Sequence, residues 1–460
     1  VEGQTKVTDP RGNVTTHYYD GRGRVNRVLD ALGRERKSTY DSSSNVIERT
    51  SAKGNKTIDT YYPATSNLMK SQLPTGAASV LEYSDAALKY FPTKTTNPQG
   101  NALALDYDAK GNLESVTDSM PPPGRTVLTY NANGTVATST DPRGKVTTYG
   151  FDGAGNLTTV TPPSPLKPTT ITYDGLSRVD TVTDGKGQVT NVDYDILDRP
   201  VLTTFTDGLA VTNDYDDGGR LISRSDATGT TTYAYDALNR PTQENLPGGR
   251  TNAYTYDGVG NLTSMADVAG TVSYRYNPVN LVDQLTEPGG SITTFAYDND
   301  DNRTSTTYPN GVVQTAAYDA SDRLTNIEGK RGSTVLTRFA YTYALSGKDT
   351  ALRRTVKDKS NNTTTYSYDA LDRLTRARTL SSLGLVNSNY QYTYDAAGNR
   401  TSESVPGLLL GTSPRPRAST TPISSPPGAT SPTPTITTAT RPAPRRARRW
   451  PSTAPTRPPA

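Results

Sequence analysis

An aromatic residue returns at nearly constant spacing along most of this 460-residue chain, and that period constrains the fold more than any other feature. From Tyr173 to Tyr318 the steps are 21, 21, 20, 21, 20, 21 and 21 residues. Self-similarity at a fixed period of about 20 to 50 residues is typical of architectures in which each unit stacks on its neighbours. We therefore predict one continuous array of units. The eighteen aromatic positions are Tyr19, Tyr40, Tyr62, Tyr83, Tyr107, Tyr130, Phe151, Tyr173, Tyr194, Tyr215, Tyr235, Tyr256, Tyr276, Tyr297, Tyr318, Tyr343, Tyr368 and Tyr394.

Each unit is predicted to contain two strands and two turns. In thirteen units Asp directly follows the aromatic residue. In seventeen units the residue three positions after this Asp position is Gly, Asn, Asp or Ser. The Asp carboxylate can accept backbone N–H groups of a turn, and the later position tolerates a positive φ. Asn or Arg follows in fourteen units, and then Val or Leu in twelve, which indicates the returning strand of a hairpin. A second turn lies midway through many units, as at 9–12, 141–144 and 308–311.

The repeated Tyr-Asp pairs are predicted to be structural residues. A second Tyr two residues earlier, such as Tyr254 or Tyr274, lies on the same face of its strand because side chains alternate. We expect the rings of successive units to form a ladder of cross-strand aromatic pairs, with Asp folding each turn. The residues selected are Tyr173, Asp174, Tyr194, Asp195, Tyr215, Asp216, Tyr235, Asp236, Tyr256, Asp257, Gly260, Tyr297, Asp298, Tyr318, Asp319, Tyr394 and Asp395.

Composition favours β-structure and removes several kinds of active site. There are 29 Tyr against 5 Phe, and the hydrophobic fraction of 32% is too low for a thick core. The absence of Cys excludes disulfides, thiolate metal sites and a cysteine nucleophile, and His17 is the single histidine. The acidic run 298–302 lacks the Gly and Glu of a calcium loop and is interpreted as a hairpin turn. We predict no enzyme activity and no catalytic, cofactor or metal site.

Charge argues against nucleic acid as a partner. The formal net charge is +4, but residues 411–460 contain eight Arg and no acidic residue. Without them, 41 basic and 45 acidic residues remain in 1–410, so the repeat array has no basic bias. No apolar run approaches the roughly 20 residues of a membrane helix, and no signal peptide is visible.

The pattern Tyr-x-Tyr-Asp, two variable positions, Gly, Asn or Arg, then Leu or Val and Thr resembles the RHS or YD repeat family over about residues 1–410. That family includes bacterial RHS polymorphic toxins, wall-associated proteins, subunits of insecticidal toxin complexes and the YD shell of teneurins. The resemblance implies a β-sheet that spirals into a hollow shell. In toxin members the shell encloses a C-terminal toxic domain, released after self-cleavage by an RHS core. Neither core nor toxin is recognised after these repeats, and the Asp-Pro-x-Gly turns at 9–12 and 141–144 lack the rest of the cleavage motif.

The expected fold is all-β, with residues 1–410 forming a spiralling sheet of antiparallel hairpins, part of a hollow YD shell. Two interpretations of residues 411–460 stand: a disordered Pro/Thr/Arg-rich linker, or the product of a frameshift, since a neighbouring frame can encode a further Tyr-Asp unit. The expected function is structural, within a large secreted or surface protein that encloses and delivers a toxin. The alternative is a surface for carbohydrate binding or adhesion. An isolated copy is expected to expose sheet edges and to aggregate.

Overall fold

A computed structural model describes residues 3–406. All regular secondary-structure elements within these residues are β-strands. This part of the chain has no helix with the length and apolar character needed to cross a membrane. The two interpretations of 411–460 concern residues outside the described part. The first nineteen strands are β1 Gln4–Thr8, β2 Val14–Tyr19, β3 Val25–Leu29, β4 Glu35–Tyr40, β5 Val46–Thr50, β6 Lys56–Tyr61, β7 Leu68–Gln72, β8 Ala78–Glu82, β9 Lys94–Thr96, β10 Ala102–Tyr107, β11 Leu113–Asp118, β12 Arg125–Tyr130, β13 Val136–Thr140, β14 Val146–Phe151, β15 Leu157–Thr161, β16 Thr169–Tyr173, β17 Val179–Thr183, β18 Val189–Tyr194 and β19 Pro200–Phe205. The others are β20 Ala210–Tyr215, β21 Leu221–Asp226, β22 Gly229–Tyr235, β23 Pro241–Leu246, β24 Arg250–Tyr256, β25 Leu262–Asp267, β26 Gly270–Tyr276, β27 Val282–Thr286, β28 Ile292–Tyr297, β29 Arg303–Thr307, β30 Val312–Tyr318, β31 Leu324–Arg331, β32 Thr334–Thr342, β33 Ala344–Leu345, β34 Lys348–Asp349, β35 Thr355–Asp358, β36 Thr363–Tyr368, β37 Leu374–Leu380, β38 Val386–Tyr394 and β39 Arg400–Ser404.

Consecutive strands pair in antiparallel fashion, so the sheet is one long meander. The pairing runs from β1 with β2 to β38 with β39. Strands β33 and β34 form a small separate hairpin, and β32 therefore pairs directly with β35. The main sheet contains 37 strands. The prediction of an all-β array of antiparallel hairpins is confirmed.

A β-bulge occurs where most of the repeated tyrosines end their strands. Thr172 pairs with Thr181, but the next residue, Tyr173, pairs with Val179, so the returning strand has one extra residue. The turn closes through a residue with positive φ, which is 61° at Ser177. Bulges increase the right-handed twist of the strands they interrupt. A bulge repeated from unit to unit therefore bends the sheet in a consistent direction.

The sheet is a single layer and has almost no conventional core. Ala77 is the only buried apolar residue among those the structure describes. Along β28 the rings of Phe295 and Tyr297 are half-buried on one face, whereas Thr294 and Ala296 point to the other face and are exposed. Such alternation of half-buried and exposed side chains is expected of a sheet with one covered face. Stability must therefore come from contacts between neighbouring units.

The sheet curls back on itself, so that residues far apart in sequence meet. The side chains of Arg11 and Asn280, 269 residues apart, are hydrogen-bonded, and so are those of Ser51 and Asp300, 249 residues apart. Separations across this contact range from 245 to 275 residues, which gives the length of one coil. We call this contact the seam: midway turns of residues 9–143 lie against Tyr-Asp turns of residues 257–398. The predicted spiral is thereby confirmed.

Candidate functional site: the Tyr-Asp-Arg turns and the seam

The Asp after each repeated Tyr binds the backbone of its own turn. Asp174 Oδ1 accepts hydrogen bonds from the amides of Leu176 at 2.9 Å and Arg178 at 3.0 Å. The backbone amide of Arg178, helped by its guanidinium, holds the pKa of the Asp174 carboxyl below its usual value against the opposing effect of desolvation. Amides two and four residues on are bound in the same way by Asp195, Asp236, Asp257, Asp298, Asp319 and Asp395, and the amide four residues on by Asp216. At Gly260, the last position of one such turn, φ is 96°.

The Arg four residues after the Asp joins two successive units. Arg178 Nε donates to Asp174 Oδ2 at 2.7 Å, while Nη1 donates to the carbonyl oxygen of Asp195 at 3.2 Å in the next turn. The same guanidinium lies over the ring of Tyr194, 4.7 Å from its centroid. Charge-assisted hydrogen bonds and the cation–π contact therefore act through one side chain. The arrangement recurs at Arg199, Arg220, Arg240 and Arg373.

The hydroxyl group of the repeated Tyr binds the backbone of the preceding unit. Tyr194 Oη donates to the carbonyl oxygen of Val179 at 2.9 Å, and Tyr297 Oη donates to that of Val282 at 2.7 Å. A Tyr therefore reaches back one unit, whereas an Arg reaches forward one unit. The same bond, to a carbonyl 14 to 20 residues earlier, is made by Tyr173, Tyr215, Tyr235, Tyr256, Tyr318 and Tyr394.

The prediction that rings of successive units pair with one another is wrong. Among residues 3–406 only Tyr62 with Tyr83 and Phe91 with Tyr107 form ring pairs, at centroid distances of 5.6 and 5.2 Å. Repeated tyrosines lie two strands apart, a distance of about 9 to 10 Å, which is too far for ring contact. The intervening returning strand begins next to the Arg that covers the ring. Where the preceding turn carries Arg, as before Tyr194, Tyr215 and Tyr256, a guanidinium group occupies the space between successive rings.

One repeat position differs from its prediction by a residue. Tyr61, not Tyr62, ends β6, and its hydroxyl donates to the carbonyl oxygen of Val46 at 3.0 Å. Tyr62 occupies the position of the Asp, and its amide closes a longer turn by donating to the carbonyl oxygen of Asn67. The sequence could not distinguish the two tyrosines because the Asp that identifies other units is absent here.

Basic side chains of the midway turns bind the Tyr-Asp turns across the seam. Arg11, in the Asp-Pro-x-Gly turn 9–12, donates to the carbonyl oxygen of Tyr276 at 2.8 Å and lies 3.7 Å from Asp257 Oδ2. Arg143, in the equivalent turn 141–144, lies 3.0 Å from Asp395 Oδ2. Both Asp-Pro-x-Gly turns, 9–12 and 141–144, are therefore seam contacts.

The acidic run 298–302 lies where the seam is most strongly charged. Lys53 Nζ is 3.1 Å from Asp298 Oδ2, and Arg34 Nη1 is 2.8 Å from Asp301 Oδ1. Ser51 Oγ lies 2.7 Å from Asp300 Oδ2. These carboxylates are thus satisfied by basic and hydroxyl groups of the other coil. No group of three or more His, Cys, Asp or Glu that could hold a metal ion occurs within residues 3–406.

Sequence reasoning named a Tyr and an Asp for most turns but not the residues that connect turns. The structure places Tyr194, Asp195 and Arg178 together, and the repeated Asn or Arg was the available signal for the third member. The seam residues had a weaker signal, a basic residue at the third position of several midway turns, as in Arg11, Lys53 and Arg143. Recognising it required knowing how far the sheet curls.

Comparison with known proteins identifies both the repeat and the fold. The RHS Repeat family profile matches residues 2–35, 130–164, 215–251 and 276–313. The crystal structure of TcdB2-TccC3 is similar to 88% of this chain at 16% identity, with a TM-score of 0.70, and 27% of that chain is covered.

Two related crystal structures give similar values. TcdB2-TccC3 without its hypervariable C-terminal region has a TM-score of 0.70 at 16% identity, covering 88% of this chain and 26% of that one. TcdB2-TccC3-Cdc42 has a TM-score of 0.59 at 15% identity, covering 89% and 25%. The chain therefore spans about a quarter of the solved chains it resembles. No curated protein matches it by sequence.

Proposed function

From the premise that this chain is an RHS-repeat protein, we propose that it forms part of the wall of a shell that encloses another protein segment. The observation that carries the proposal is the seam. A single-layer sheet is continuous along each coil through its strand pairing, and the seam joins one coil to the next through contacts such as Lys53 with Asp298. A coiled sheet whose successive coils are joined at a seam can form the side wall of a container, which a flat sheet cannot do.

The enclosed segment is proposed to be a toxin domain that belongs to a longer bacterial protein. The TcdB2-TccC3 structures, which belong to Tc toxins, provide the fold-level analogy, and analogy is the basis for this step. In this proposal residues 1–410 are wall, and the toxin and the RHS core lie elsewhere in the parent protein. The parent is proposed to be secreted or displayed at the cell surface.

The chemistry of the turns favours a structural role over carbohydrate binding or adhesion. Sugar platforms use open aromatic faces, but a guanidinium lies over the rings of Tyr194, Tyr215 and Tyr256. The hydroxyl groups of the same three tyrosines donate to backbone carbonyls of the preceding unit. The groups that would recognise a sugar are therefore engaged in joining units.

Limited proteolysis of the full-length parent protein tests enclosure. We expect its C-terminal segment to resist protease in the wild-type protein and to become sensitive when Lys53→Glu and Arg34→Glu place like charges across the seam. Lys56→Glu is the matched control, because the ion pair of Lys56 is with Glu48 of the neighbouring strand and not with the other coil. Equal and rapid cleavage of the C-terminal segment in all three proteins would refute enclosure. Binding of the purified repeats to a glycan array would favour the alternative.

A further inference from the structure

We propose that two midway turns of one coil are completed by the other coil, so that this part of the seam is a latch whose two contacts open and close together. The turns are 51–54 and 73–76, and the residues that complete them are Asp300 and Ser321. Both coils of this segment lie within the described residues. The latch determines how the coils engage, whatever they enclose.

Most midway turns of the seam bind their own backbone. In each of them the side chain of the first residue accepts a hydrogen bond from the amide two residues on, as Asp9 Oδ1 does from Arg11 at 2.9 Å. Asp and Asn favour turns for this reason. The first residues that act in this way are Asp9, Asp30, Asn97, Asp118 and Asp141.

The turn 51–54 takes this hydrogen bond from the other coil. It begins with Ser51, whose hydroxyl oxygen lies 2.7 Å from Asp300 Oδ2. The second oxygen of that carboxylate, Oδ1, accepts a hydrogen bond from the amide of Lys53 at 3.2 Å. Asp300 therefore does for this turn what Asp9 does for its own.

The turn 73–76 is completed in the same way by the next Tyr-Asp turn. It begins with Leu73, whose side chain contains no hydrogen-bond acceptor. The amide of Thr75 donates to Ser321 Oγ at 3.3 Å, and the hydroxyl oxygens of Thr75 and Ser321 lie 2.8 Å apart. The two midway turns whose first side chain does not bind this amide thus face two Tyr-Asp turns with a polar third residue.

This match favours one register between the coils. At the third position of the other four-residue Tyr-Asp turns of the seam the residues are apolar: Val259, Val279, Leu371 and Ala397. A seam shifted by one unit would move Asp300 from the Lys53 amide to the turn that begins with Asp30. Two carboxylates would then compete for one amide, while the Lys53 amide would lose its acceptor, and an unsatisfied amide shielded from water is costly.

The two completed turns are coupled through the side chain of Lys53. Its Nζ lies 3.1 Å from Asp298 Oδ2 in one Tyr-Asp turn and 3.8 Å from Asp322 Oδ1 in the next. A cavity of about 500 Å³ lies between these turns and is lined by residues of both coils. Close packing is therefore incomplete here, and polar contacts hold both turns. Opening at one turn is expected to loosen the other.

Hydrogen exchange resolved to single amides tests the latch in the purified chain. We expect Asp300→Ala to accelerate exchange of the Lys53 amide about tenfold, because a hydrogen bond to a charged group is lost, and to accelerate exchange of the Thr75 amide with it. Ser43→Ala is the control, because Ser43 holds the third position of the turn 41–44, which is not a turn of the seam. Unchanged exchange at Lys53 in Asp300→Ala would overturn the completion of its turn by Asp300. Acceleration at Lys53 alone would overturn the coupling.

Moving the carboxylate from one coil to the other distinguishes this hydrogen bond from a general loss of stability. Ser51→Asp combined with Asp300→Ala gives the turn 51–54 a first residue of the kind found at Asp9. We expect the Lys53 amide to regain its protection, while the Thr75 amide exchanges as fast as in Asp300→Ala alone. Exchange at Lys53 that stays fast in the double variant would contradict the proposal.

A disulfide across the seam tests the coupling from the other turn. The chain has no cysteine, so Thr75→Cys with Ser321→Cys introduces a single pair at the site of the hydroxyl contact. Oxidation is expected to slow exchange of the Lys53 amide, and reduction to restore it. Thr129→Cys with Thr138→Cys, where the hydroxyl oxygens lie 2.6 Å apart on paired strands, is the matched control. Equal exchange at Lys53 in the oxidised and reduced seam variant would contradict a single latch.

Discussion

Removing the hydroxyl group of a repeated Tyr tests how neighbouring units are joined. In Tyr297→Phe the ring is retained, but the 2.7 Å hydrogen bond from Tyr297 Oη to the carbonyl oxygen of Val282 is lost. The hydroxyl is half-buried, and burial raises the pKa of Tyr297. The substitution therefore removes one partly desolvated hydrogen bond between neighbouring units and little else.

The expected loss of stability follows from the net free energy that a neutral hydrogen bond contributes. Such a bond contributes about 0.5 to 1.5 kcal/mol net, and we expect about 1 kcal/mol here because the bond is short and partly shielded from water. Global unfolding is unsuitable for measuring it, because long repeat arrays lose two-state behaviour. Hydrogen exchange of the backbone amides in β27 and β28 reports local opening, and a loss of about 1 kcal/mol corresponds to roughly fivefold faster exchange.

The chain contains its own reciprocal control. Phe151 occupies the repeat position in β14 and pairs at the same bulge with Leu157. Phe151→Tyr is expected to add the missing hydrogen bond, to the carbonyl oxygen of Val136, and to slow exchange in β13 and β14 by a similar factor. Unchanged exchange in β27 and β28 of Tyr297→Phe would refute the reasoning and assign the joining of units to the ring alone.

Three further predictions concern the same turns. The side chain of Arg24 lowers the pKa of Asp20 to about 2. The stabilisation from the ionised Asp20 carboxylate is therefore complete above its unfolded pKa of 3.8 and is lost as pH falls towards 2. Acid titration followed by tyrosine fluorescence measures this loss. Burial raises the pKa of Tyr318 above 10.0. The stabilisation that the neutral Tyr318 side chain contributes to the fold is therefore present below that pH and is lost as pH rises beyond it. Ultraviolet absorbance of tyrosinate, recorded together with circular dichroism, measures this loss. Arg199→Lys is expected to accelerate hydrogen exchange in the turns 195–198 and 216–219 together. The reason is that an ammonium group cannot donate to the Asp195 carboxylate and to the backbone of the next turn at the same time, as the guanidinium does. Acceleration in the first turn alone would contradict that bridging role.

Local features of this fold follow from the sequence because their chemistry is local. The position of Asp174 next to Tyr173 and four residues before Arg178 specifies a hairpin turn without knowledge of the rest of the molecule. The positive φ at Gly260 follows from the same motif, since glycine adopts it without steric cost. Segments whose side chains alternate between two faces, and which are bounded by such turns, are compatible with few folds other than a sheet of hairpins.

Features that connect distant units could not be read from the sequence. The 269-residue separation between Arg11 and Asn280 results from small bends summed over a whole coil of strands, and no single unit encodes it. The ring ladder was predicted wrongly because matching faces were considered without the spacing of two strands between units. Arg178, whose guanidinium lies beside the ring of Tyr194, is the residue immediately before the returning strand β17.

The central claim is that the sheet coils so that midway turns of one coil bind Tyr-Asp turns of the next. Zero-length carbodiimide cross-linking of the unmodified chain, followed by peptide mass spectrometry, tests it most directly. The account predicts a Lys53 to Asp298 cross-link, since Nζ and Oδ2 lie 3.1 Å apart. Lys94 with Glu82, 2.7 Å apart on the paired strands β8 and β9, is the internal control for reactivity. Recovery of the control cross-link without the Lys53 to Asp298 cross-link would contradict the coil.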